Sequence, residues 1–171
     1  MVAKLPPFQD DFMQESVSVL LADESKCLQP LNAFPGVSLW LCNVNQMPDA
    51  RAYWIGNFTD GCVAYLIVEQ FGLPGLRGQQ AIRGWVANDL RGKGLFSTLM
   101  LAASAGSCLI SDRDGMTENA HNAWMNAKGY SRHYYDQHRM ELVEPTEVPD
   151  LEKFTTDPAG RRWLLVLTPS C

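Results

Sequence analysis

Hydrophobic and polar positions change their period repeatedly along this chain, and the changes mark its elements. In QDDFMQESVSVLLADE (9–24), Phe12, Met13, Val17, Leu20 and Leu21 recur at near-helical spacing. Acids crowd the first turn, where the helix dipole favours them, so the spacing predicts a helix. Pro30, Pro35 and Gly36 interrupt, and VSLWLCNV (37–44) is an apolar run suited to a strand. AYWIGNFT (52–59) reads as the next strand, closed by Asp60-Gly61, a hairpin turn signal. GCVAYLIVEQF (61–71) is the most continuous strand, LPGLRG lies in a loop spanning 72–79, and AIRGWVAND supplies a strand over 80–87. Three consecutive antiparallel strands are therefore expected: 52–59, 62–71 and 80–87.

Beyond residue 90 the pattern turns helical. LFSTLMLAASA, within 94–105, is rich in helix formers and unbroken. SCLISD (107–112) is a short buried strand. TENAHNAWMNAKGY then reads as a second helix with Thr117 as its cap and Gly129 as its stop. Ala120, Ala123, Trp124 and Ala127 form its expected inner face, which leaves His121 exposed. RHYYDQHRMELVE (132–144) alternates like one strand, with His133 and His138 on opposite faces. A polar stretch (145–160) leads to a last strand in RRWLLVLTP. The order predicts a mixed α+β fold: a central, mostly antiparallel sheet of six or seven strands flanked by helices.

Composition narrows the class. A chain of 171 residues with 46% apolar and 19% charged residues suits one globular domain over 1–171. No apolar run approaches the ~20 residues that span a bilayer, and the N-terminal stretch lacks the apolar core of a secretory signal. A net charge of −5 argues against nucleic-acid binding, which needs an excess of cations on one face. Five scattered cysteines (27, 42, 62, 108, 171) show no metal-ligand spacing, so neither a metal site nor a disulfide framework is expected. Buried thiols in a reducing cytoplasm fit better.

The candidate chemistry lies in RGKGLF (91–96), two glycines and two cations between a strand and a helix. A flexible turn opening a helix presents unsatisfied backbone N–H groups at the positive end of its dipole, a setting for phosphate. VANDLRGKGLFSTLM resembles the acetyl-CoA-binding motif of the GNAT superfamily of N-acetyltransferases, a strand followed by Arg/Gln-x-x-Gly-x-Gly/Ala at a helix start. Arg91, Gly92, Lys93 and Gly94 carry the match, and NAWMNAKGY is similar to a second signature, a helix ending in a Gly-aromatic pair, Gly129-Tyr130. The resemblance covers roughly residues 50–143.

That resemblance implies a sheet splayed between strands 80–87 and 107–112, with acetyl-CoA as acyl donor and an amine as acceptor. Backbone groups of Gly84, Trp85 and Val86 would pair with the pantetheine arm. Amides from Gly92 through Lys93, Gly94, Leu95 and Phe96 to Ser97 would cradle the diphosphate, with Arg91 or Lys93 adding charge. An aspartate at Gly94 would repel that diphosphate, and its Cβ is expected to crowd the turn. The sequence departs from the motif twice. Phe96 stands where Gly or Ala is usual, and Met125 falls where a tyrosine general acid is frequent. Strand 80–87 carries no carboxylate base either; Glu69 on the strand before could face the same cleft, or be a solvated edge carboxylate.

Amide formation needs a neutral amine and a route for protons. Asp112, at the C-terminal end of its strand, and Tyr134 and Tyr135, beside the expected acceptor cleft, are the candidate carriers. A non-catalytic binding module of the same fold is the alternative, motivated by Met125 and Phe96. A nucleobase-modifying relative is weaker still, given the acidic charge. Acceptor choice is expected to lie in 23–36, 45–51 and 72–79, and the apolar strand WLLVL could pair across a homodimer.

Overall fold

The computed structural model describes residues 25–44, 47–58, 61–112, 118–153 and 162–169. The helix expected over 9–24, the turn residue Asp60 and the cap expected at Thr117 lie outside them. The described residues divide into two units. One holds the chain up to Glu69 together with Arg83–Ala102, and the other holds Gln70–Ile82 together with the chain from Ala103. Among the described residues the strands number nine, more than the six or seven expected, in the hydrogen-bonded order β1-β2-β3-β4-β5-β6-β9-β7-β8.

The first unit is an antiparallel meander. β1 (Lys26–Pro30) is an exposed edge, β2 is Ser38–Val44, β3 is Met47–Asn57, and β4 (Gly61–Leu73) belongs to this unit as far as Glu69. β2 pairs with β1 and β3, and β3 pairs with β4 from Ala50↔Glu69 to Asn57↔Gly61. Ala64, Leu66, Ile67 and Val68 of β4 are buried on both faces of the strand, which is why its apolar run is continuous instead of alternating. β3 begins earlier than 52, because the alternation of Ala50 and Ala52 with exposed Arg51 already sets the pleat. Helix α1 (Leu95–Ala103) buries Leu95, Leu99 and Met100, the i, i+4, i+5 stripe of an amphipathic helix.

β5 (Leu76–Val86) follows β4 after only Pro74 and Gly75, so the loop expected over 72–79 is a two-residue turn. Proline and glycine there mark the turn itself, and the flanking Leu73 and Leu76 belong to strands.

In the second unit β6 (Cys108–Ile110) pairs parallel with β5 from Gly78↔Cys108 to Gln80↔Ile110. That ladder covers all of β6 but only residues 78–80 of β5. β9 (Trp163–Pro169) lies antiparallel to β6 on one side and to β7 (Tyr130–Asp136) on the other. Both its edges are engaged, so WLLVL is an internal strand and is not available to extend a dimer sheet. Residues 132–144 form a hairpin and not one strand: β7 turns back as β8 (Glu141–Val143). Leu76, Ile110, Tyr135, Leu164 and Val166 form a core cluster of this unit.

Helix α2 (Glu118–Asn126) keeps Trp124 of the expected inner face, and Ala127 just past its end is buried too, but the face is rotated to include His121. Ala123 is exposed, while His121 is only 8% exposed and Trp124 is buried. The histidine is drawn in by Tyr134 of β7, whose hydroxyl lies 2.9 Å from His121 Nε2. At the helix end Arg132 donates to the carbonyls of Trp124 and Ala127, supplying partners and positive charge where the dipole needs both.

Candidate functional site

The turn Arg91–Gly94 lies in the first unit. A short 3-10 turn, Asn88–Leu90, carries the chain off β5, and the Ala87 N–H donates to the Val63 carbonyl (2.9 Å). Gly92 and Gly94 adopt φ of +77° and +80°, the left-handed region that glycine enters without steric cost. No atom lies within 4 Å of a Cβ built at either position. The expectation that a side chain at Gly94 would be crowded is therefore corrected: backbone conformation, not space, selects glycine here.

The first helical bond runs from the Thr98 N–H to the Gly94 carbonyl (3.1 Å), which the Thr98 hydroxyl also reaches. Leu95, Phe96 and Ser97 accordingly present N–H groups with no acceptor inside the helix. The first turn of α1 contains no acidic residue to occupy them. Arg91, Gly92, Lys93 and Gly94 are all exposed. Geometry, dipole and charge thus make this turn the candidate anion site. Arg91 is less available than the sequence suggests, because its Nε donates to the Val86 carbonyl (3.3 Å) and ties the turn to the strand end.

The strand beside the turn offers different surfaces on successive residues. Trp85 is half-buried and stacks on Tyr65 with ring centroids 5.9 Å apart. Burial pushes the Tyr65 phenol up to about 12, with the neighbouring Cys62 reinforcing the shift, so it stays protonated at neutral pH. Gly84 faces the opposite way, and the Phe96 ring lies against it.

Asp112, Tyr134 and Tyr135 lie in the second unit. Asp112 follows β6 and is half-buried. Its neighbour Ser111 is held on several sides: its N–H donates to the Leu165 carbonyl (2.9 Å), its Oγ accepts from the Leu165 N–H (2.9 Å), and its carbonyl accepts from Gln80 Nε2 (3.1 Å). The end of β6 is therefore a fixed platform. Tyr134 is fully buried and bonded to His121. Burial pushes its phenol up to about 12, with the Asp150 carboxylate adding to the shift, while burial lowers the His121 imidazole and favours its neutral form. Tyr135 is a core residue whose hydroxyl donates to the Pro74 carbonyl (2.7 Å). Neither tyrosine presents a hydroxyl without a partner.

Met125 is 36% exposed, and nothing at that position can donate a proton. Tyr130, the aromatic residue of the Gly-aromatic pair, bonds through its hydroxyl to Ser104 Oγ (2.7 Å) at the end of α1. His133 approaches Glu144 at 3.5 Å, and His138 sits in the β7–β8 turn instead of on a strand face. Cys42 and Cys62 are buried, whereas Cys27 is exposed. Among the described residues no cluster of His, Cys, Asp and Glu is arranged to hold a metal, and no helix is long and apolar enough to cross a membrane.

Comparison with known proteins adds distant likenesses only. No family model and no curated protein matches this chain. A Klebsiella pneumoniae protein assigned as an acyl-CoA N-acyltransferase is similar in structure, with 17% identity, 74% of this chain and 77% of that one covered, and a TM-score of 0.42. Nourseothricin acetyltransferase is similar to the same degree, with 17% identity, 77% of this chain and 72% of that one covered, and a TM-score of 0.42. At that distance these likenesses describe the neighbours alone.

Proposed function

We propose that this chain is an acyl-CoA-dependent N-acyltransferase of the GNAT type, with acetyl-CoA as donor and an amine as acceptor. One observation carries the proposal: an exposed turn with two left-handed glycines opens a helix whose first N–H groups lack intrahelical acceptors and whose first turn holds no acidic residue. A CoA diphosphate meets those donors, and Lys93 adds long-range charge. The backbone of Gly84, Trp85 and Val86 is assigned to the pantetheine amides, with the Val86 carbonyl already shared with Arg91. Acetyl-CoA supplies an activated acyl carbon. The C–S bond breaks as the C–N bond forms, the amine loses one proton, and the departing sulfur takes one up.

Direct transfer draws on proximity, worth up to about 7–11 kcal/mol when the reacting groups are well aligned. For the protons, Asp112 is the side chain we favour, because it follows the fixed end of β6. Tyr134 and Tyr135 are secondary assignments, since their hydroxyls are engaged by His121 and by Pro74. The cytoplasm is the proposed setting, where a thiol such as the exposed Cys27 stays reduced.

The test is a melting curve with and without millimolar acetyl-CoA, followed by thiol release against a panel of amines. A ligand that binds the native state at a hundred times its Kd stabilises by about 2.7 kcal/mol. An unchanged melting temperature at millimolar acetyl-CoA refutes the proposal. The exposed Met125 favours a second reading, a non-catalytic module of the same fold. That reading predicts no thiol release for any amine and, with Phe96 blocking the cofactor, no acetyl-CoA shift either.

A further inference from the structure

Phe96 stands where the resemblance expects glycine or alanine, and its ring lies on Gly84 of β5. A Cβ built at Gly84 would meet Phe96 Cε2 at 2.7 Å and Cζ at 3.0 Å, with Leu66 Cδ1 at 3.6 Å. The first distance is shorter than real Cβ contacts permit, so the ring fills the space that a side chain at 84 would need. Gly84 is not among the positive-φ glycines, unlike Gly92 and Gly94. A side chain at 84 would have to displace the end of the Phe96 ring, and no backbone angle adds to that demand. The same distances place the Phe96 ring over Gly84 of the strand, with the buried Leu66 also near that position.

We infer that Gly84 and Phe96 form a reciprocal pair in which the missing side chain has moved from helix to strand. Close approach of a helix N-terminus to a strand needs a small residue on one of the two elements. Here the strand supplies it, and the ring fills the remaining gap. Because Phe96 lies in the first turn of α1, the contact fixes how far the N–H groups of Leu95, Phe96 and Ser97 stand from β5. Phe96 is thus a positioning residue for the diphosphate, not an obstruction to it. The inference rests on the CoA reading proposed above.

The test is calorimetric CoA binding to the whole chain, with apo melting curves, for the parent, Gly84→Ala, Phe96→Ala, Phe96→Leu and the double variant Gly84→Ala/Phe96→Ala. Gly84→Ala is expected to weaken CoA binding by about tenfold, because the methyl displaces the ring and with it the first turn. Phe96→Ala weakens it severalfold, Phe96→Leu keeps most of the affinity, and the double variant regains most of what Gly84→Ala lost. Tighter binding by Phe96→Ala overturns the inference, since the ring would then be an obstruction. So does a double variant that binds no better than Gly84→Ala, or a series in which melting temperatures fall while affinity stays constant. Should Gly84→Ala fail to fold, weaker binding by Phe96→Ala with recovery in Phe96→Leu supports the pair, and parent-like binding by Phe96→Ala overturns it. A parent that binds no CoA removes the reading underneath, whereas a binding parent without the expected pattern removes the inference alone.

Discussion

Two turns in this chain gather backbone N–H groups and dispose of them in opposite ways. In the β7–β8 turn the chain provides its own anion. Asp136 is fully buried and accepts from the N–H groups of His138 (2.9 Å) and Arg139 (3.3 Å), while Arg162 grips both oxygens at 2.9 and 2.6 Å. Its main-chain carbonyl takes the Met140 N–H at 2.7 Å, with Met140 held at φ +55°. The Arg91–Gly94 turn has left-handed residues too, but no carboxylate of its own and an exposed surface. A turn that satisfies itself contributes stability. A turn that leaves its donors open has a place for something that is not part of the chain.

The comparison breaks most sharply at Asp136. Replacing it with alanine leaves Arg162 and two N–H groups without their acceptor, and the expected loss is on the order of 3 kcal/mol in a urea titration. Acid should do part of the same work. The Arg162 guanidinium holds the Asp136 carboxyl down from 3.8 to about 2 in the folded chain. The stability it contributes is complete above the unfolded value and is lost as pH falls from about 4 towards 2. That component of the pH profile should vanish in Asp136→Ala. An identical slope in parent and variant would show that other carboxyls carry it.

Gly94→Asp makes the open turn resemble the closed one by giving it a carboxylate. Aspartate tolerates the left-handed conformation better than most residues and is a good helix cap, so the apo melting temperature should stay within a few degrees. CoA binding should weaken by about a hundredfold, because the carboxylate meets the diphosphate at the helix start. Parent-like affinity in this variant would sink the assignment of the turn.

Arg132→Met extends the test to a helix end that the chain satisfies itself. Losing charge-assisted bonds to the Trp124 and Ala127 carbonyls should lower stability by about 1.5 kcal/mol, read from the urea midpoint. The smallest effect is expected at Lys93. It is exposed, so Lys93→Met should weaken CoA binding about threefold at low ionic strength, and the difference should fade near 0.5 M salt. A loss that persists in salt would mean direct contact and not long-range attraction.

The same contrast explains what the sequence makes legible. β2, β4 and α1 are readable because composition and period decide them: LWLCNV and CVAYLIV admit little but buried strand, and LFSTLMLAA little but helix. The RGKG turn is readable because glycine is the residue its conformation demands. The β7–β8 turn is hidden, since DQHRM contains neither glycine nor proline and its reversal is made by a side-chain carboxylate and a left-handed methionine. LPGLRG misleads in the other direction, its flanking residues looking like loop although only Pro74 and Gly75 turn. His121 and the pair Gly84–Phe96 are beyond local pattern altogether. Each depends on a partner from another element, Tyr134 for one and a ring against a bare strand for the other.

The interior position of β9 also sets an order of events during synthesis. β6 and β7 leave the ribosome well before the strand that lies between them, since Leu109 and Tyr134 pair with Leu167 and Leu165. Until β9 arrives, both present unpaired backbone edges beside apolar side chains, the pattern that invites pairing with other chains. Closing such long-range contacts is slow compared with forming the β2–β3–β4 meander. A nascent chain arrested before Trp163 should therefore be the species most prone to aggregate and to engage chaperones. Arrival of β9, and not the folding of the meander, then sets the yield of native protein.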